Sequence, residues 1–368
     1  MKTNQLSRGN VEIKDAGKEK KRDDLIDILR FTGLTLIILA HTIPTKWVLF
    51  QLRNFDVPMM AVVSGMAFSL SSPQRIRLGS YYWKRILRLL LPTYVFLTVF
   101  FLVTALCFHL SGGAFPFKGK LLGTYALRNV RSIGYVWIIR VFLLIALTAP
   151  LLRFFWKRLR PMAFAAMLTF VYILYEVALK HVPKLEPGWL NTFVTIYVYY
   201  AVAYSVLFGF GMALIKLNGY QRLAFAIVFG IVFVLCVYLM NTGDAIKLRM
   251  QSFKYPPRVY YVSWGLFMSS LLSFIFVKGR LFGFWGGLIR FMSSASLWIY
   301  LWHIAVLSVI NWHIDLFPAL KGPWMKFATV IVISTLLTYL HRLLFSRLAE
   351  KISGVPFAAK FVSEAFLK

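Results

Sequence analysis

Residues 223–240 read LAFAIVFGIVFVLCVYLM, a run without a charged residue or a proline. An α-helix needs about 20 apolar residues to cross the hydrocarbon layer of a bilayer, where no water satisfies an open backbone. The run is continuous rather than alternating, so it predicts a helix and not a strand of a barrel. We therefore expect a membrane-spanning helix near residues 223–242.

Runs of this kind recur along the chain. Of its 368 residues, 59% are hydrophobic and only 15% are charged, whereas about a quarter of the residues in soluble domains are charged. The sequence predicts an all-α, polytopic membrane protein: a basic disordered tail at 1–24, a membrane domain at 25–345 and a C-terminal tail at 346–368. About ten transmembrane helices are predicted, near residues 27–46, 57–72, 90–110, 134–153, 161–180, 193–215, 223–242, 259–277, 288–311 and 324–345.

The formal net charge is +29, from 42 Lys and Arg against 13 Asp and Glu. In a soluble domain such an excess favours nucleic acid, but between membrane helices it orients the helices and contacts anionic lipid. Segments on the side of the N-terminal tail carry 27 Lys and Arg, and those on the opposite side carry 13. This bias predicts that both termini lie in the cytoplasm, with membrane lipids and not nucleic acid as partners.

The first predicted helix carries Asp27, Arg30 and His41. The step from Arg30 to His41 advances about 16 Å and closes nearly three full helical turns, so both residues share one helix face. Asp27 lies three residues before Arg30, close enough to pair with it. A histidine at membrane depth is costly unless it faces a cavity or a partner, so His41 is a candidate functional residue. A histidine that only packs between helices is the alternative.

A second basic pair, Arg85 and Arg88, stands at the start of the third predicted helix, after an aromatic cluster. Arginines three positions apart project to one side of a helix, and guanidinium groups match phosphate oxygens. An ordinary positively charged loop with interfacial aromatic residues is the alternative. Together with Arg30, the pair would suit an anionic cosubstrate that enters from the cytoplasm.

Four elements follow one another along the chain: Asp27-x-x-Arg30-x10-His41, Phe55-Asp56-Val57-Pro58-Met59-Met60-Ala61-Val62-Val63-Ser64-Gly65, Arg85-x-x-Arg88 and Tyr300-Leu301-Trp302-His303. In this order they resemble the acyltransferase 3 family, which comprises integral membrane O-acyltransferases, many of which acetylate bacterial surface or exported glycans. Many relatives carry Phe-Phe before the Ser-Gly element, where this chain has Met59-Met60 and Val62-Val63, and this departure concerns the shape of the pocket. The segment Lys254-Tyr255-Pro256-Pro257-Arg258 also looks like a loop of some exopolysaccharide-acylating members.

The resemblance implies an enzyme of the bacterial cytoplasmic membrane that moves an acyl group, foremost acetyl, from acyl-CoA to a hydroxyl of an envelope or exported glycan, free or lipid-linked. It implies His41 as the catalytic general base, with Arg30, Arg85 and Arg88 near the donor. Acetyl-CoA would be a cosubstrate, and no bound cofactor is expected. The alternative is a transporter or flippase of lipid-linked glycan, in which the arginines hold a pyrophosphate.

Three further polar residues lie within predicted spans, and intramembrane polar residues are commonly functional. His303 is either a structural histidine or a second residue of the active site. Arg140 and Glu176 could pair with each other or line the cavity. No cluster of Cys and His has the spacing of a metal site, so no metal is expected.

Overall fold

The computed structural model describes residues 23–72, 76–128, 132–181, 188–240 and 250–367. Within these ranges the regular structure is helical, apart from one isolated bridge between Lys254 and Pro257. Two π-helical turns, Val194–Val198 and Ser363–Leu367, continue the helices before them. The helices are α1 Asp24–Ala40, α2 Val48–Leu52, α3 Asp56–Ser71, α4 Leu78–Leu110, α5 Leu121–Tyr125, α6 Trp137–Trp156, α7 Pro161–His181, α8 Trp189–Phe193, α9 Tyr199–Leu214, α10 Gly219–Met240, α11 Val259–Ile275, α12 Gly283–Ser294, α13 Ser296–Trp312, α14 Pro323–Lys351 and α15 Pro356–Val362.

Each predicted span contains a helix. Among the described residues, six helical segments are long and apolar enough to cross a membrane, or seven if α12 and α13 form one span. The six are α4, α6, α7, the continuous segment Trp189–Leu214, α10 and α14. Helices α1, α3 and α11 have only 17, 16 and 17 residues. The chain is thus a helical, multi-pass membrane protein, while ten spans and cytoplasmic termini stay predictions. The predicted tail lies outside the described residues except at Asp23 and Asp24, where Asp23 caps α1.

The first predicted span ends earlier than residue 46, because α1 stops at Ala40 and His41 is its C-cap. Pro44 disfavours a helical conformation at the residue before it. The chain turns at residues 41–47 and then forms the short α2. His41 therefore lies at a helix end, where its side chain can meet residues from other helices.

The ninth predicted span is not one continuous helix. Helices α12 and α13 meet at Ala295 with a bend of 82°. A break of this kind releases backbone carbonyl groups, which need other partners away from water. Arg342 of α14 supplies one, since its Nη2 donates to the carbonyl oxygen of Ser294 at 2.8 Å. Beyond the bend, residues 298–301 of α13 are buried.

Helices α1 and α3 form the centre of the bundle, and α3 packs closely on α9. A Cβ at Gly65 would lie 1.8 Å from the carbonyl oxygen of Phe208, and one at Gly211 would lie 1.9 Å from that of Val62. Close approach of this kind is the usual role of small residues between membrane helices. Helices α10 and α14 instead lie outside, with large apolar side chains exposed along most of their length.

The region predicted as a C-terminal tail, 346–368, begins as the last turns of α14 and then folds back as α15 and a π-helical turn. Phe366 stacks on Phe345 of α14, with ring centroids 4.3 Å apart. His341 Nε2 lies 3.2 Å from the carbonyl oxygen of the same Phe366. This segment, residues 356–367, is called the C-terminal strap below.

Candidate active site

A pair of histidines lies where α1 ends beside α13. The Nδ1 atom of His41 is 3.0 Å from the Nε2 atom of His303, and the two rings are stacked at an interplanar angle of 13°. The edge of Tyr135 covers His41, with ring centroids 4.4 Å apart. His303 is completely buried, whereas His41 is partly exposed to a cavity. The pair joins residues from opposite ends of the sequence.

The hydrogen bonds of His303 determine which nitrogen of His41 can accept a proton. His303 Nδ1 contacts the carbonyl oxygen of Tyr300, which can only accept, so this nitrogen donates. His303 Nε2 then carries a lone pair and accepts from His41 Nδ1. This assignment follows from the hydrogen-bond partners. In neutral His41 the Nε2 atom is left with the lone pair that a general base needs.

His41 lines a cavity of about 190 Å³, called the outer chamber below. Its other polar lining comes from α2, α3 and the loop before α11. Arg53 forms a buried ion pair with Asp56, and the Asp56 carboxylate also accepts from the backbone N–H of Val57 at 2.7 Å. Aromatic side chains complete the wall, namely Phe50, Tyr135, Trp137, Tyr255 and Tyr300. The remaining polar side chains of the lining are those of Gln251 and Lys254.

A second cavity, of about 270 Å³, lies toward the N-terminal end of α1 and is called the inner chamber. Its polar lining includes the three arginines singled out in the sequence, with Tyr81, Ser64 and Ser293. The Arg85 guanidinium lies over the Tyr81 ring, 5.2 Å from its centroid. Met60, one of the residues that depart from the family pattern, also lines this chamber. The arginines are Arg30, Arg85 and Arg88.

The two chambers share three lining residues, Ile37, Ile138 and Tyr300. These residues therefore lie between the arginines on one side and His41 on the other, at a boundary that is called the constriction below. Arg30 and Ile37 line the inner chamber and His41 the outer, so one face of α1 serves both cavities, as the spacing of the motif predicts. The two chambers thus adjoin, one with arginines in its lining and the other with His41.

Asp27 and Arg30 meet at a third residue. Ser293 of α12 donates to Asp27 Oδ1 at 2.6 Å, and Arg30 Nη1 donates to the Ser293 hydroxyl at 3.4 Å. Asp27 is buried. The contact ties α1 to α12 just before the bend, so Asp27 acts as a support for the cationic end of the inner chamber.

Arg88 has a partner that the sequence did not suggest. Its Nε and Nη2 atoms donate to the same carboxylate oxygen of Glu364, at 2.7 and 2.6 Å. The Arg88 side chain is 38% exposed and that of Glu364 is 14% exposed. An isolated glutamate near the end of a chain carries no local pattern that would reveal this contact. The C-terminal strap thus places a carboxylate at the arginine-lined mouth of the inner chamber.

Of the two alternatives for Arg140 and Glu176, the mutual ion pair is not formed. Arg140 Nη1 donates to the carbonyl oxygen of Leu127 at 2.9 Å, and its guanidinium lies 5.3 Å from the centroid of the Tyr200 ring. Glu176 accepts from Arg258 Nε at 2.8 Å. Neither residue lines the two chambers described above. Both side chains hold loops in place, which residue spacing alone could not distinguish from an intramembrane ion pair.

Glu176 and its neighbours fasten the loop 254–258 to α7. Besides Arg258, Glu176 accepts from the backbone N–H of Val259, at the start of α11. Tyr175 donates to the carbonyl oxygen of Pro257 at 2.9 Å. The loop that resembles exopolysaccharide-acylating members therefore contributes Lys254 and Tyr255 to the outer chamber.

Comparison with known proteins identifies one family. No protein with a curated description and no solved structure matches the chain. The model of the acyltransferase 3 family, described as an acyltransferase domain, matches residues 23–343. The match includes both histidines, the three arginines and the residues that line the outer chamber, and it ends before the C-terminal strap. The chain therefore belongs to the acyltransferase 3 family and is a membrane acyltransferase.

Proposed function

We propose that this protein transfers an acyl group, foremost acetyl, from acyl-CoA to a hydroxyl of an envelope or exported glycan in the bacterial cytoplasmic membrane. The single observation that carries the proposal is the histidine pair beside the outer chamber. A hydrogen-bonded chain runs from the Tyr300 carbonyl through His303 to His41 Nδ1. Such a chain orients an imidazole as a general base, as a third group does in other nucleophile-base systems.

In this proposal the inner chamber receives the donor. Coenzyme A carries phosphate groups, and arginine guanidinium groups bind phosphate by charge-assisted hydrogen bonds. Arg30, Arg85 and Arg88 line that chamber, while the constriction is lined by the uncharged side chains of Ile37, Ile138 and Tyr300. An uncharged pantetheine arm can enter such a constriction, whereas the phosphates are held at the arginines. The thioester would then reach His41 from the inner side, and the acceptor hydroxyl would approach from the outer chamber.

The chemical step needs one proton acceptor that later returns the proton. His41 Nε2 removes the proton from the acceptor hydroxyl as its oxygen attacks the thioester carbonyl carbon. The tetrahedral intermediate collapses, the carbon–sulfur bond breaks and the ester bond remains. The proton on His41 passes to the departing thiolate, which leaves as free coenzyme A. The imidazole is then neutral again, with its Nδ1 proton still held by His303.

The inner chamber lies on the cytoplasmic side in this proposal, with both termini. Support comes from the distribution of Lys and Arg, which is 27 on the side of the N-terminal tail against 13 on the other. Acyl-CoA is a cytoplasmic metabolite, so its binding site must open to that side. The outer chamber would then face the exported glycan, and acylation would need no transport of the charged donor.

Replacement of His41 by Gln tests the proposal. Glutamine has a similar size and can hydrogen-bond His303, but it cannot take a proton from a hydroxyl. General base catalysis contributes about 10²–10⁴-fold, so acetyl transfer to native glycan should fall by at least about a hundredfold. The measurement uses membranes with matched amounts of wild type, His41→Gln and His41→Ala, with labelled acetyl-CoA.

A control variant shows whether a loss of rate is specific to position 41 or follows from any replacement of histidine by glutamine. His313 is exposed, and its Nδ1 atom contacts only a carbonyl oxygen of its own helix among the described residues. His313→Gln should keep the wild-type rate. If His41→Gln keeps more than about a tenth of that rate, against the expected loss, His41 is not the base. A transporter would also tolerate His41→Gln, and it would consume no acetyl-CoA.

A further inference from the structure

The outer chamber contains a buried cation whose charge is not balanced. Lys254 is only 5% exposed, and its Nζ atom lies 5.3 Å from the Trp137 ring centroid, 5.8 Å from that of Tyr255 and 5.9 Å from that of Tyr261. Among the described residues, no carboxylate forms an ion pair with it. Asp56 is the acidic residue of the lining, and its carboxylate is bonded to Arg53 and to a backbone N–H.

The lining therefore has two cationic side chains, Arg53 and Lys254, against one carboxylate. Burial of an ammonium group without a partner is costly, and proteins normally pair or neutralise it. Burial lowers the pKa of Lys254 to about 8, with Asp56 opposing the shift. At neutral pH the side chain is still mostly protonated. The chamber thus holds a positive charge that a bound anion would compensate.

The position of Lys254 is fixed by contacts outside the chamber. The bridge between Lys254 and Pro257 closes the loop, and Tyr175 holds the Pro257 carbonyl. The ion pair between Arg258 and Glu176 then anchors the end of the loop to α7. The backbone that carries Lys254 is thus preorganised, and the buried side chain has little freedom left to lose when a ligand binds.

We propose that the outer chamber binds an acceptor that carries an anionic group close to the hydroxyl that is acylated, with Lys254 as the counter-ion of that group. This inference rests on the proposed function, since it names the chemical class of the acceptor. The anionic group is a carboxylate of a sugar acid or a phosphate on a sugar. The aromatic walls of the chamber, Trp137 and Tyr255, suit the apolar face of a sugar ring.

The test compares three acceptors that differ in charge: octyl β-glucoside, octyl β-glucuronide and an octyl glucoside phosphorylated on its sugar. Acetyl transfer from labelled acetyl-CoA is measured with the purified full chain, as kcat/KM for each acceptor. The wild type should prefer at least one anionic acceptor over the neutral one by about tenfold or more, the worth of one charge-assisted contact. The anionic acceptor with the higher kcat/KM shows whether the chamber binds a carboxylate or a phosphate.

Substitution of Lys254 then tests whether this side chain causes the preference for an anionic acceptor. Lys254→Met should reduce the ratio of anionic to neutral kcat/KM by about tenfold, and Lys254→Arg should keep most of it. Lys321→Met is the matched control, because this exposed lysine is paired with Asp315 in a loop away from both chambers. Equal use of neutral and anionic acceptors by the wild type would overturn the inference. So would a Lys254→Met variant that keeps the wild-type ratio.

A binding measurement separates this inference from the proposed function. The thermal unfolding temperature of the detergent-solubilised protein is recorded with each of the three glycosides and no acetyl-CoA. An anionic glycoside should stabilise the wild type more than octyl β-glucoside does, and Lys254→Met should abolish the difference. Charge-dependent binding without acyl transfer would uphold the anion site and refute the proposed transfer from acyl-CoA to a glycan hydroxyl. Acyl transfer without any charge preference would refute only the anion site.

Discussion

Loss of the His303 contact should change the rate of acyl transfer without changing donor affinity. His303 Nε2 accepts from His41 Nδ1, and His303 itself lines neither chamber. Leucine at position 303 fills a similar volume but cannot accept a hydrogen bond. Glutamine can place its Oε1 atom near the position of Nε2 and accept from His41. Both variants lose the contact with the Tyr300 carbonyl, so the comparison isolates the bond to His41.

The size of the expected loss of rate follows from the burial of the hydrogen bond between His41 and His303. A buried donor left without an acceptor costs about 1–3 kcal/mol. In His303→Leu this cost falls on the tautomer of His41 that carries its proton on Nδ1, which is the tautomer that can act as a base at Nε2. The population of the active tautomer should fall by about 5- to 150-fold, since about 1.4 kcal/mol corresponds to a factor of ten. His303→Gln should keep a larger share of the activity.

The assay measures kcat and KM for acetyl-CoA in membranes with matched amounts of the three proteins. We expect kcat to fall in the order wild type, His303→Gln, His303→Leu, while KM for acetyl-CoA stays within about twofold, because His303 makes no contact in the arginine-lined cavity. A His303→Leu variant with at least about half of the wild-type kcat would refute the reasoning. Equal losses in both variants would also refute it, because they would assign His303 a packing role only.

The remaining predictions concern the donor end and the packing of the bundle. Arg85→Ala should raise KM for acetyl-CoA by about tenfold or more, and Arg85→Lys should restore only part, because an ammonium group cannot reproduce the guanidinium fork; an unchanged KM in a titration would contradict this. Glu364→Gln should lower that KM by up to about fivefold, because a partly exposed ion pair is worth at most about 1 kcal/mol and Arg88 becomes available to phosphate. A higher KM would mean that the carboxylate positions Arg88 instead. Gly65→Ala should destabilise the bundle by about 1–3 kcal/mol, because α3 and α9 must separate, whereas Gly287→Ala, with no atom within 4 Å of the new Cβ, should not; thermal unfolding of the two variants checks the difference.

The helices could be predicted because a bilayer requires continuous apolar runs of sequence. Each predicted span contains a helix in the structure. The bend at Ala295 was not predicted, because no proline or glycine marks it. The serines that flank it, Ser293, Ser294 and Ser296, are of a type found at kinks but are a weaker signal than proline. Here the bent chain is stabilised by Arg342, which lies 48 positions away on another helix. A long-range contact of this kind leaves no local pattern.

Residue spacing predicted the shared face of Arg30 and His41, because both lie on one helix and helical geometry relates them. The partner of His41 lies 262 positions away, so the sequence left the role of His303 undecided. For Arg140 and Glu176, depth in the membrane left two alternatives open, a mutual ion pair or a place in the lining of the cavity. In the structure each of them instead holds a loop. Depth in the membrane indicates that a charge needs compensation but does not identify the partner.

The separation of the two chambers gives the spacing of the Arg-x10-His motif a physical reason. Phosphate groups need cations and water at one end, whereas a neutral imidazole and a thioester react best where water is excluded. Ile37, Ile138 and Tyr300 lie between the two chambers. In the proposed function, the pantetheine arm must span the distance between phosphates held at the arginines and a thioester at His41, and 11 helical positions advance about 16 Å. We infer that the three helical turns place both ends of the proposed donor on one path.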